Sequence, residues 1–353
     1  MSRKRTVKKT NKKAGETLSR ALEKKDIIKA LETIKPGIAG CNDLSEQSEL
    51  VIFAKDRIFS FNDNISISYP LDTGLEGSIY ANEFLKFVRK APEKEIEISL
   101  DENQNQFIFK SGNVRAGFYI KIVDPPKLDA GENWDELPPN FSDALLFCYP
   151  TTETGSYTSA LGSVQIIDGL VISCNNYQAS KYQLTDCPVS GLIPSDSAKI
   201  LSSFNPVAYQ KGSGRLDHYK SEDGAIMSIL SAEDDYPTDK VLGLFEAEGE
   251  PIELPENLKD VLERQEVMAF NEDNSTPVIT INITENTMEF NAKNIKGWIS
   301  ETVTTSKNEK EFSFMINPIT LKRVLGEIHD ITVNESMLNI KSDIFSYAIA
   351  LCK

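Results

Sequence analysis

Lys86, Arg89 and Lys90 stand at i, i+3 and i+4 in the stretch IYANEFLKFVRKAP. A helix there puts three cations on one face, away from Phe84, Leu85, Val88 and Ala91. Like charges side by side repel, so the cluster is mildly unfavourable without an anion opposite; a solvated face accounts for the same residues. The chemistry open to such a cluster is phosphate neutralisation, which gives affinity without reading sequence. Further cations stand off the apolar sides of other predicted helices: Lys24, Lys25 and Lys29 on Leu18–Ile34, Lys199 in LIPSDSAKILSSF, Lys259 and Arg264 on Leu254–Phe270, and Lys322 and Arg323 in FMINPITLKRVLGEI. The first 17 residues hold seven basic ones, among them Arg3, Lys4 and Arg5, and almost nothing apolar. They read either as a solvated tail or as a phosphate-binding arm.

Other chemistry has little to draw on. There is no nucleophile elbow, HExxH, EF-hand, GxGxxG after a strand or GxxxxGK[ST]. The two histidines, His218 and His329, are far apart, and the five cysteines form no CxxC pair. Neither an enzyme, a cofactor nor a metal site is expected, and the thiols point to a reducing compartment. No run of about 18 apolar residues offers a membrane span, and the charged start is not a secretory signal. The net charge is −15, unevenly spread: residues 1–35 hold 12 of the 38 Lys and Arg but 4 of the 53 Asp and Glu, so they are +8 and the rest −23. Contact with nucleic acid is therefore confined to local basic patches on an acidic body.

The elements that carry these cations recur. Phe312, Phe314 and Ile316 read as a strand leading into Asn317-Pro318, where Asn suits a helix cap and Pro the first helical position; Leu321, Val324, Leu325 and Ile328 follow at helix spacing. Ile79–Pro92, with Asn82 as cap, and Leu192–Phe204, with Ser195 or Asp196 as cap and Ile200, Leu201 and Phe204 buried, are further copies. Each precedes two strand-like runs: Ile96–Leu100 and Phe107–Phe109, Val207–Tyr209 and Ala225–Ile229, Ile331–Val333 and Leu338–Ile340. The period is roughly 115 to 120 residues, the size of a domain. Each copy also has an opening helix: Leu18–Ile34 burying Leu22, Ile27, Ile28, Leu31 and Ile34, then Asn140–Thr151, then Leu254–Phe270. Hairpin turns are expected at Asp63-Asn64 and Asp168-Gly169. Asp124–Pro139 and Glu246–Pro255 read as linkers. The division is a tail, 1–17, and three α+β domains, 18–131, 132–248 and 249–353.

This succession resembles the bacterial-type DNA polymerase sliding clamp, the β subunit of the replicative polymerase. KKDIIKALETIKPGIAG, NDNISISYPL, IYANEFLKFVRKAP and QFIFKSGNVRAGF are similar to consecutive parts of its first domain, VISCNNYQASKYQ and LIPSDSAKIL to parts of its second, and FSFMINPITLKRVL to part of its third. The resemblance implies three repeated clamp-fold domains per chain, a head-to-tail homodimeric ring closed between strand edges of domains 1 and 3, and duplex DNA held within by helix cations. Implied partners are double-stranded DNA, a DNA polymerase, a clamp loader and a second copy of the chain, in the cytoplasm of a bacterium or of a phage's host. Met268 and Phe270 fall near the implied joint. The family's groove for a short apolar peptide corresponds to Asn176, Tyr177, Gln178, Pro237, Lys240 and Val241, with Leu161 and Leu351 as apolar walls. Asn176-Tyr177-Gln178 stands where the family has Gly-His-Arg, Cys41 where it has a basic loop residue, and the basic tail is an addition; such divergence suits a phage or mobile-element clamp. The alternative is a clamp-fold scaffold that gathers partners without closing around DNA.

Overall fold

A computed structural model describes residues 20–38, 49–123, 130–153, 160–270, 277–305, 311–324, 330–334 and 336–350. The elements among them run in three like series. The first is β1 (Arg20–Glu23), α1 (Lys24–Ile34), β2 (Leu50–Ala54), β3 (Arg57–Phe61), β4 (Ile65–Pro70), β5 (Glu76–Tyr80), α2 (Ala81–Lys90), β6 (Glu95–Asp101), β7 (Gln106–Ser111) and β8 (Val114–Tyr119). The second is β9 (Asp135–Glu136), α3 (Phe141–Cys148), β10 (Ser163–Ile167), β11 (Leu170–Cys174), β12 (Gln178–Gln183), β13 (Gly191–Pro194), α4 (Ser195–Phe204), β14 (Pro206–Lys211), β15 (Leu216–Ser221) and β16 (Ile226–Leu230). After α5 (Thr238–Leu244) comes the third: β17 (Glu250–Pro251), α6 (Leu258–Ala269), β18 (Ile279–Ile283), β19 (Thr287–Asn294), β20 (Gly297–Thr304), β21 (Phe312–Ile316), α7 (Pro318–Val324), β22 (Asp330–Val333), β23 (Met337–Lys341) and β24 (Phe345–Ala350).

By compactness the chain forms two units. One comprises Met1–Gly131 with His218–Ile229. In it β1-β6-β7-β8 form one antiparallel sheet, and β5-β2-β3-β4 form another, whose last strand pairs with Ile226–Ile229 of β16. The amphipathic helices α1 and α2 pack together, burying Ile27, Ala30, Leu31 and Ile34 from one and Ala81, Phe84, Leu85 and Val88 from the other. Phe84 is the hub of this core. Its ring lies 5.9 Å from Phe53, 4.5 Å from Phe109 and 5.7 Å from Phe118. Edge and tilted contacts of this kind add to what burial alone supplies.

The other unit comprises Glu132–Asp217 with Leu230–Lys353. Its main sheet has the order β13-β10-β11-β12-β24-β23-β22-β17, and a second has the order β20-β19-β18-β21. α3 packs on α4 and α6 on α7. Phe147 of α3 meets Tyr182, Phe345 and Tyr347 at centroid distances of 4.9 to 5.9 Å, covering the β12–β24 junction. Asp168 and Gly169 both have positive φ, 49° and 76°, as the tight β10–β11 turn demands; a Cβ on Gly169 would stand 2.7 Å from the Leu184 carbonyl oxygen. Asn317 caps α7 as expected, its Oδ1 accepting from Ile319 N at 2.9 Å.

Several expectations are corrected. Residues 20–23 form a strand paired with β6, so the first helix begins at Lys24, and Leu22 and Ile28 are only half-buried. Asn82 lies inside α2 and Ser195 opens α4; neither is a cap, and Ile200 and Phe204 are half-buried. The two stretches read as linkers each contribute a two-residue strand, β9 on β14 and β17 on β22, because their edges complete ladders that distant residues begin. The strand after β14 is β15 rather than Ala225–Ile229. Val324, Leu325 and Ile328 lie outside the described side chains.

Phe84→Ala removes the ring that Phe53, Phe109 and Phe118 pack against and leaves a cavity among them. It is expected to cost about 3–5 kcal/mol in denaturant unfolding. A loss below about 1 kcal/mol would show that Phe84 is not the hub.

Candidate nucleic-acid interface and apolar groove

The helix cations fall into two groups. Lys86, Lys90, Lys199 and Lys259 are exposed, and among the described residues only Lys86 pairs with an acid, Glu83 at 3.9 Å. The rest are engaged. Lys24 Nζ donates to the Ala91 carbonyl oxygen at 2.7 Å, closing the end of α2. Lys25 pairs with Glu23 at 2.6 Å, Lys322 with Glu266 at 2.6 Å, and Arg89 of α2 with Glu32 of α1. Arg264 donates two hydrogen bonds to Glu301, at 2.9 and 2.6 Å. The side chain of Arg323, and the whole of Arg3, Lys4, Arg5, Cys41 and Leu351, lie outside the described part. The exposed pairs among these contribute about 0–1 kcal/mol each, so an incoming phosphate competes for their cations at little cost; Lys322 and Glu266 are more deeply buried.

Lys29 is held by two groups. Its Nζ lies 2.8 Å from Asp223 and 5.9 Å from the Tyr69 ring centroid. The Asp223 hydrogen bond raises its pKa. Partial burial pushes the Asp223 carboxyl up, but hydrogen bonds from Lys29 and Ser221 outweigh this and hold it below the ordinary value.

Where the resemblance puts the peptide groove, an apolar cluster is built by elements distant in sequence. Cys174 of β11, Ala179 of β12 and Ala348 of β24 form a buried floor with Val241 and Phe245 from α5 and its end. Leu161, Tyr236, Leu242 and Leu244 pack on it while staying partly exposed. Asn175 Oδ1 accepts from Tyr177 N at 2.9 Å and Gln178 N at 3.0 Å, a turn that leaves Asn176 and Tyr177 exposed at the rim. Gln178 accepts from the Tyr347 hydroxyl. Pro237 precedes the first turn of α5, and Lys240 projects from it, exposed. Of the expected groove residues, the structure brings Leu161 and Val241 together. Cys174, Ala179, Tyr236, Phe245 and Ala348 were missed; the β12–β24 pairing brings Ala179 to Ala348, and folding brings the others onto them.

Among the strands that end the sheets are β8 and β20, each with one edge unpaired among the described residues. Ser111↔Val114 and Asn294↔Gly297 flank two-residue turns, and bonding alternates from there. Arg115, Gly117 and Tyr119, and likewise Trp298, Ser300 and Thr302, thus turn their backbone groups outward. Large apolar side chains stand exposed beside both edges: Val114, Tyr119 and Ile122 at one, Val267, Phe270, Ile295 and Trp298 at the other. Met268 lies against Gly297, and Phe270 O accepts from Asn294 Nδ2 at 3.1 Å, so both expected joint residues sit at the start of β20.

No family model and no curated protein matches the chain. Solved structures do. The DNA polymerase III beta chain of Streptococcus pneumoniae is 16% identical, with a TM-score of 0.74 over 95% of this chain and 99% of that one. The DNA polymerase sliding clamp of Bacillus subtilis is 13% identical, with a TM-score of 0.74 over 96% and 100%. The chain has the sliding-clamp fold. A Helicobacter pylori beta clamp solved with a DNA ligase peptide is 15% identical, with a TM-score of 0.71 over 95% and 100%. Among the described residues no helix is long and apolar enough to cross a membrane, and no group of His, Cys, Asp and Glu could hold a metal ion.

The Lys29–Asp223 pair carries a pH signature. A depressed Asp223 pKa contributes stability above its unfolded value, near 4, that is lost as pH falls through the folded value. Asp223→Asn is expected to cost less than about 1 kcal/mol at pH 7 and nothing at pH 2, measured by urea unfolding. An equal cost at both pH values would assign the effect to packing.

Proposed function

We propose that the protein is a DNA sliding clamp, a non-catalytic processivity factor whose two copies close head to tail into a ring around duplex DNA. The clamp fold over nearly the whole chain carries this reading. The open edges support it. β4 pairs with β16, the last strand of the next series, and β12 pairs with β24 in the same manner. By that rule β20, the counterpart of β4 and β12, still needs the last strand of a following series, and β8 is such a strand without a partner. A second copy supplies each to the other. Divided this way the chain has three domains, 18–131, 132–248 and 249–353, after a basic tail, 1–17, that adds phosphate contacts.

DNA is held by Lys86, Lys90, Lys199 and Lys259 and by cations whose exposed pairs exchange with phosphate. No base is read, so contacts trade freely as the ring moves. The apolar groove takes a peptide segment of the polymerase or the clamp loader, and the site of action is the cytoplasm. The scaffold alternative, a chain that never closes on DNA, draws on the engaged cations of α1, α2, α6 and α7.

Reversing Lys86, Arg89 and Lys90 to Glu separates the two. The expected result is lost polymerase processivity, with the salt slope of DNA binding lowered by about 3. Unchanged processivity would favour the scaffold. Ring closure has its own test. Arg115→Pro removes only an N–H facing the open edge of β8, so the fold survives while sedimentation shifts from dimer to monomer. A variant that remains dimeric would place the joint elsewhere.

A further inference from the structure

The apolar groove has a charged margin. The register of β12, β24 and β23 sets Lys181, Ser346 and Lys341 in one row. Side chains alternate along a strand, so this row shares the face that carries Ala179 and Ala348. Lys181 Nζ lies 5.3 Å from the centroid of Phe245, which is only 3% exposed and belongs to the groove floor. The ammonium therefore sits where the apolar floor ends. Neither lysine ion-pairs with a described residue. The field of Glu246 reaches Lys181, and Asp330 stands across from Lys341 on β22. Burial lowers the Lys181 pKa, and the charge of Lys341 lowers it further against the weaker pull of Glu246. Two cations kept close together and half dehydrated, beside an apolar surface, are poorly matched to water and well matched to an anion.

We propose that Lys181 and Lys341 form an anion-reading margin of the groove, so that the segment it takes is a short peptide with an Asp or Glu close to the apolar side chain on the floor. This rests on the groove reading given under Proposed function. A neutral polar residue at that place leaves the lysines dehydrated without a partner, which is how the margin discriminates.

The test is selection of displayed random nine-residue peptides on the wild-type protein and on the K181Q/K341Q variant. Enriched peptides are then measured by fluorescence polarisation, each beside its Asp→Asn or Glu→Gln form. Urea unfolding of each variant reports its fold, and K341Q alone, whose lysine makes no ring contact, keeps the test readable if K181Q unfolds. Acidic residues beside apolar ones are expected among the enriched peptides, the amide forms binding wild type about tenfold weaker, with that ratio close to one on the variant. Enriched peptides indifferent to the amide change, or a ratio that survives in the variant, would overturn the margin while leaving the groove. If Val241→Glu leaves every enriched peptide bound, the groove itself is the wrong site and both readings fall.

Discussion

Sheet continuity is the constraint on which the rest depends. A strand's backbone groups need partners along both edges, and an open edge recruits whatever it can pair with. In this chain the strand after the Asn turn, β4 or β12, finds its partner in β16 or β24, well over a hundred residues further on. The pairing commits both neighbours. Phe147 has Tyr182, Phe345 and Tyr347 to pack on only because Tyr182 and Phe345 are paired across that junction. The opposite face of the same ladder gives Ala179 and Ala348 to the groove. One set of backbone bonds thus positions a core on one side of the sheet and the apolar cluster under α5 on the other.

The same constraint explains why the groove has the character it does. The cluster residues under it are small or thin, Cys174, Ala179 and Ala348, so α5 can lie close over β11 and β12. α5 holds its place by Val241 and Phe245 and by Thr238, whose hydroxyl donates to Gln165 at 2.6 Å. Burial keeps the Cys174 thiol protonated, pushing its pKa upward, which suits an apolar floor better than a reactive one. Lysine stems cover aromatic surface while their heads stay near water, so Lys181 serves the packing of Phe245 whatever else it binds.

What was legible in the sequence was local. Asn317-Pro318 and Asp168-Gly169 carry their own geometry, a cap and a tight turn, and both are as the residues dictate. A further local signal went unread: Asn62, Asn175 and Asn294 each accept from the backbone N–H groups two and three residues on, marking the same turn in all three series. What was illegible was decided at a distance. Leu22 fits a helix pattern, yet Arg20–Glu23 is a strand because β6 offers an edge there. The cations on α1, α2, α6 and α7 are readable as residues on helices, but Glu32, Asp223, Glu266 and Glu301 meet them only after folding. The floor of the groove could not be read at all, since no periodicity links Cys174 to Ala348.

Those engaged cations bear on how a ring of this kind would hold DNA. A face of unpaired lysines would grip phosphates strongly, and each step along the duplex would have to break that grip. Exposed ion pairs lower the strength of each contact, because the carboxylate competes with the phosphate at similar distance and dielectric. The acidic remainder of the chain, −23 beyond residue 35, would repel a duplex from most of the outer surface, so no strong attraction inside would be needed to direct it. Weak, exchangeable contacts inside a closed boundary give retention without friction, and the retention is then set by the two edge-strand joints rather than by charge. On this argument the backbone bonds that organise each unit would also set how long the ring stays on DNA, and the helix cations would set only how it sits while there.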